Sequence, residues 1–216
     1  MASFEPPSTE LRRAYHDRIA ALKARSREVV DFAVKGSRSV TLALLGQDRS
    51  MAGGFDSAAE RMSSVVTGVD AEVVDLLATQ APVARDLRLI LAARDVAHIA
   101  LLCVGLDRAV ASRSGAGGRI LEPDLSERLG CVGRATGDLL AEAAAAWAGL
   151  DLAESERVVA GAEGVRLLHL ELLSSLVRLD RVPMEAALDL SMAARAFERL
   201  TDHAVEIAER VQFVAG

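Results

Sequence analysis

The sequence predicts an all-α protein: a tandem pair of antiparallel three-helix bundles, six long helices with an internal duplication. Three observations carry that prediction. Hydrophobic residues make up 51% of the 216-residue chain but aromatic residues only 3%. The core must therefore be aliphatic and Ala-rich, which suits close-packed helices better than a sheet drawing on aromatic and β-branched residues. Apolar residues recur at spacings of three and four through long stretches, the period of a buried helix face. The helical pattern also starts again after "SRSGAGGR", residues 112–119, a flexible stretch at the midpoint of the chain.

Each element follows from its punctuation. Ser8 or Thr9 can cap the first helix, which carries Leu11, Tyr15, Ile19, Leu22 and Val29 or Val30 at helical spacing to about Leu45. "GGFDSAAERM" then breaks the pattern, and Ser57 to Glu60 reads as a capping box opening a second helix that runs through Met62, Val65, Val69, Val73, Leu76 and Leu77 to Gln80. Pro82 suits the first turn of a third helix ending in "GLDRAV". Pro123 opens a fourth through Trp147, Asp151 can cap a fifth to about Arg178, and Pro183 opens the sixth.

Setting "PVARDLRLILAAR" against "PMEAALDLSMAAR" pairs Pro82 with Pro183 and Arg94 with Arg195, so 183 less 82 gives a repeat offset of 101. The expected organisation is a first three-helix repeat over residues 1–112, a linker over 113–119 and a second repeat over 120–216. A helix pair alone cannot bury its apolar stripe, so three helices per repeat is the natural unit.

A net charge of −6 argues against nucleic acid as a bulk electrostatic partner. Locally, Arg12, Arg13, Arg18, Lys23, Arg25 and Arg27 face only Asp17. That run reads as the wet side of a helix or as a surface for an acidic partner protein. Cys103 and Cys131 lie in apolar helical context without metal-ligand spacing and read as small core residues in a reducing cytosol. There is no signal-sequence pattern, and the longest apolar run, "HIALLCVGL", falls short of the ~20 residues of a membrane span. The expectation is a soluble cytoplasmic protein with no direct membrane insertion.

No GxSxG, phosphate loop, HExxH or paired Glu-x-x-His occurs. The four histidines, His16, His98, His169 and His203, are scattered one to a helix and read as exposed or locally bonded. Near the C-terminus, "AFERLTDHAVEIAERV" places Glu198, Asp202 and Glu206 four residues apart on one helix face. Phe197, Leu200, Ala204, Ile207 and Val211 form a seam on the other. Two readings stay open: a metal face, or a solvated stripe in which Glu206 and Arg210 make an i,i+4 pair.

"LLATQAPVARDLRLILAA" (76–93) and "ARAFERLTDHAVEIAERV" (194–211), in a duplicated three-helix frame covering the whole chain, resemble the PhoU family of phosphate-uptake regulators. The first phrase is similar to the family's Gln-x-Pro-x-Ala-x-Asp-Leu-Arg and the second to its Leu-Glu-Arg-Ile-Gly-Asp-His-Ala. The resemblance implies a protein without catalytic activity that negatively regulates phosphate uptake and the phosphate-starvation response. It would be a cytoplasmic adaptor between the ATPase subunit of a phosphate ABC transporter and a sensor histidine kinase, and a homodimer. It also implies metal on a Glu/Asp-x-x-x-Asp motif, onto which Glu198 and Asp202 fall. They are the candidate ligands of a divalent or ferric ion in the second repeat, with Glu163 as a third.

Departures from that pattern are concentrated in the first repeat. The corresponding motif falls on Leu101 and Gly105, or in the other register on Ala97 and Leu101, and neither supplies a carboxylate. Ala59, Ser63 and Val66 occupy the family's acidic positions on the second helix, leaving Asp70 alone, and in the fifth helix Val159 and Arg166 surround Glu163. A multinuclear cluster needs many oxygen ligands, which the first repeat lacks. The alternative readings are a metal-binding helical protein, or a diverged scaffold with the same fold and a different partner.

Overall fold

The computed structural model describes residues 7–47, 55–114, 122–178 and 184–216. They form six helices with no strand among them: α1 (Pro7–Leu44), α2 (Phe55–Gln80), α3 (Ala84–Ser114), α4 (Pro123–Gly149), α5 (Leu152–Arg178) and α6 (Met184–Ala215). The tandem pair of three-helix bundles is present: α1, α2 and α3 pack on one another, and so do α4, α5 and α6.

Helix starts follow the expected chemistry in the second half more closely than in the first. Asp151 Oδ1 accepts the Glu154 backbone N–H at 3.0 Å, a side-chain cap on α5, and Pro123 opens α4. The chain turns between α4 and α5 through Leu150, held left-handed at φ 50°. In the first half, α1 begins at Pro7, one residue before Ser8, and α2 begins at Phe55, two before Ser57. Extending α2 backwards buries Phe55, whose ring packs at 5.6 Å from Phe32, and that contact outweighs the capping box. Leu11, expected in the core, is 73% exposed. α3 continues through Arg113 into the expected linker, whose residues 115–119 lie outside the described residues, as does Pro183.

The two halves meet along two helix pairs, α1 on α4 and α3 on α6, and one continuous apolar core runs through both. Gly130, Gly133 and Gly137 line the face of α4 toward α1, and a Cβ on Gly133 would lie 2.4 Å from the Thr41 side chain. Removing side chains from one helix lets the backbones close in. The fully buried Trp147 of α4 donates its indole N–H to Ser26 Oγ of α1 at 3.0 Å, and Lys23 Nζ donates to the Ala148 carbonyl at 2.7 Å. Lys23 thus leaves the basic run of α1 to satisfy a carbonyl in the last turn of α4.

α3 sits centrally, against α1, α2 and α6. It is long and apolar enough to pass for a membrane span, but half of its most apolar window is buried in the bundle, as the core helix of such a bundle requires. Cys103 is buried there, while Cys131 is only half-buried, with Arg134 Nη2 3.5 Å from its sulfur. The reading of both cysteines as core residues holds for Cys103 alone.

Candidate functional site

The seam of α6 points inward as its spacing requires: Phe197, Leu200, Ala204, Ile207 and Val211 are all fully buried. That orientation turns Glu198, Asp202 and Glu206 outward, and each carboxylate there meets its own nitrogen donor. Arg195 Nη1 donates to Glu198 Oε2 at 2.6 Å. Arg166 Nη2, from α5, donates to Asp202 Oδ1 at 3.0 Å, and the same guanidinium lies 3.8 Å from Glu163. Glu206 accepts from His203 Nδ1 at 3.1 Å.

The expected Glu206–Arg210 pair is not formed. Arg210 instead reaches Asp95 of α3 at 3.6 Å, because α3 lies beside this part of α6 and offers a carboxylate across the interface.

Glu163 and Glu198 line one cavity of about 420 Å³ between α5 and α6, together with Arg166, His169 and Arg195. The imidazole of His169 is 4% exposed and its Nε2 has no hydrogen-bond partner. Burial pushes it below the ordinary histidine range, against the pull of Glu198 and Asp202 and with the help of Arg166. His169 is therefore a core residue, contrary to the expectation of an exposed or locally bonded imidazole; His203 is buried too, but it is locally bonded to Glu206 as expected.

As placed, these side chains do not make a metal-binding set. A cation would compete with two guanidiniums for the carboxylates, and no group of three or more His, Cys, Asp or Glu that could hold an ion occurs among the described residues.

In the first half, Asp70 accepts from Arg94 Nε at 2.9 Å and lies 2.9 Å from His98 Nε2. Partial burial pushes its carboxyl up, but the hydrogen bond and charge of His98, with Arg94, hold it below the ordinary range. Asp70 is thus tied between α2 and α3 by a guanidinium and an imidazole.

A further acid was not anticipated. Asp107 of α3 is fully buried, neither oxygen has a hydrogen-bond partner, and burial raises its carboxyl well above the ordinary range. Its Oδ2 stands 2.6 Å from where a Cβ on Gly36 of α1 would lie. The signal was in the sequence: Val96, Ala100, Cys103, Asp107 and Val110 alternate four and three apart, so Asp107 occupies a seam position.

A second kind of site lies at the crossing of α3 and α6. Leu106, Ala109, Val110, Met192, Ala193 and Ala196 line a groove of about 330 Å³, together with Leu44 of α1. Its floor continues into a small satellite core of Val40, Val110, Ala193 and Ala196. Arg113, Arg195 and Arg199 stand on its rim, and Arg113 bridges to Asp189 at 3.3 Å.

With this geometry in hand, likeness to known proteins is informative. The PhoU domain profile matches residues 132–211, which include the Glu198 to Glu206 stripe. The phosphate-specific transport system accessory protein PhoU homolog 1 of Mycobacterium leprae is 29% identical over 208 residues, 95% of this chain and 94% of that one. Homolog 2 of Mycobacterium tuberculosis is 29% identical over 210 residues, 95% of this chain and 98% of that one. The chain is similar to PhoU proteins over nearly its whole length.

Solved PhoU structures share the fold over nearly its whole length. The protein from Pseudomonas aeruginosa superposes with a TM-score of 0.83 at 23% identity, over 94% of this chain and 98% of that one. The regulatory PhoU from Streptococcus pneumoniae does so with a TM-score of 0.83 at 16% identity, over 93% and 96%. On that fold, this chain pairs Asp202 with Arg166 and Glu198 with Arg195.

Proposed function

We propose that this chain is an accessory regulator of phosphate transport that holds phosphate uptake and the starvation response down when phosphate is plentiful. The observation that carries the reading is the end-to-end similarity to accessory proteins of phosphate-specific transport systems, over 95% of the chain. In this reading the chain acts without catalysis, in the cytoplasm, as a homodimeric adaptor. Its partners are the ATPase subunit of a phosphate ABC transporter and a sensor histidine kinase. Long helices whose outer faces are ringed with charge suit that work, because they offer rigid binding surfaces. The reading is tested by phosphate uptake rates in a deletion strain of the native host: uptake in phosphate-rich medium should rise several-fold and return to normal with the intact gene.

Metal binding at Glu198, Asp202 and Glu163 is the second reading. The cavity shared by Glu163 and Glu198 favours it, and the guanidiniums of Arg166 and Arg195 oppose it.

A further inference from the structure

We infer that the groove between α3 and α6 is a docking site for an amphipathic helix of a partner protein, one carrying acidic residues beside its apolar stripe. The proposal rests on the regulator reading only in taking the occupant to be a protein.

The floor is apolar because small buried residues, Ala193 and Ala196, stand where α6 faces α3. At about 330 Å³ it is at the small end for a drug-sized ligand. It is not closed off along α6: Met192 is 40% exposed, and Leu188, one turn earlier, 56%. An elongated apolar track of this kind accepts the i, i+3/i+4 and i+7 anchors of a helix.

Charge selects among helices. The whole chain carries a net charge of −6, yet three arginines stand on this rim. Arg113 is matched by Asp189 and Arg195 by Glu198, whereas Arg199 is exposed and has no carboxylate within ion-pair distance among the described residues. Arg195 and Arg199 lie one turn apart on α6, so a partner with carboxylates at matching spacing meets both. Because the groove is built from both halves of the chain, its occupant would clamp α3 to α6.

The test uses the full-length protein and a fluorescein-labelled helical 16-residue peptide with Leu at i, i+3 and i+7 and Glu on both flanks, beside a twin with Lys in place of Glu. The Glu peptide is expected to bind saturably and at least 10-fold more tightly than its twin. Ala196→Trp fills the groove and should abolish binding, and Ala109→Trp, on the exposed margin of α3, repeats the test where folding is less at risk. Arg199→Glu should weaken the Glu peptide 10-fold and let the Lys twin bind.

No binding, equal binding of both peptides, or indifference to these substitutions overturns the proposal. So does uptake onto phosphatidylglycerol vesicles that the Trp variants abolish, which would assign the groove to lipid. If the peptides behave as expected but a deletion strain keeps normal phosphate repression, the groove stands and the phosphate role falls. If repression needs the chain but survives Arg199→Glu and Ala109→Trp, the groove falls and the phosphate role stands.

Discussion

Arg166 of α5 reaches across to Asp202 of α6, Nη2 to Oδ1 at 3.0 Å, and covers the carboxylate proposed above as a metal ligand. A guanidinium in that place does what a cation would do, and it is covalently fixed. Arg166→Ala should therefore uncover both Asp202 and Glu163 and raise Mn²⁺ affinity, read by titration calorimetry, at least 10-fold over wild type. Adding Glu198→Ala and Asp202→Ala should remove the gain. A wild-type protein that already binds Mn²⁺ stoichiometrically, with no change in Arg166→Ala, would show that the arginine does not control the site.

His169 predicts a pH dependence of stability. Burial lowers its folded pKa, so between the folded value and about 6.5 the unfolded chain takes up a proton that the native state refuses. Stability from this group is complete above about pH 6.5 and is lost as pH falls through that range. Denaturant melts at pH 7.5 and 5.5 should show wild type losing more stability than His169→Gln; equal losses would place the imidazole in contact with water.

Asp107 has the opposite sign. Its folded pKa is raised, so the native state keeps a proton that the unfolded chain releases near pH 4. Its contribution is complete below about pH 4 and falls as pH rises toward the folded value. Asp107→Asn should match wild type near pH 4 and exceed it by more than about 1 kcal/mol at pH 7.5, since each pKa unit is worth about 1.4 kcal/mol. A variant less stable at pH 7.5 would show that the carboxylate has a partner there.

Gly133 and Thr41 set the approach of α4 to α1. A Cβ at Gly133 would meet Thr41 Cγ2 and Oγ1 at 2.4 Å and Cβ at 3.0 Å, so no rotation of the threonine clears it. Gly133→Ala should cost about 1–3 kcal/mol. Thr41→Ala should recover most of that in the double variant, a coupling that a melting cycle measures. Additive effects would mean that the helices move apart instead.

What could be read from the sequence was the periodic part. The 3–4 spacing placed Phe197, Leu200 and Ile207 in the core, and Pro123 and Asp151 placed two helix starts, because those signals are local. The start of α2 was displaced because Phe55 finds Phe32 from another helix, a contact no local rule contains. The candidate site shows the same division. The face of Glu198 and Asp202 was legible, but which cation each meets depends on how α5 and α3 lie beside α6. Hence Arg166 was noted only as a departure from the pattern, and Arg210 was assigned to Glu206 rather than Asp95. His169 and Asp107 stood at seam spacing in the sequence, and their polarity hid it.

The most direct test of the central claim is secreted alkaline phosphatase activity in a deletion strain of the native host grown in phosphate-rich medium. A regulator that signals phosphate sufficiency predicts activity well above wild type, and restored repression when the intact gene is returned. Activity that stays at the wild-type level, in a strain with no second gene of this family, would contradict the phosphate role and leave the PhoU fold serving another partner.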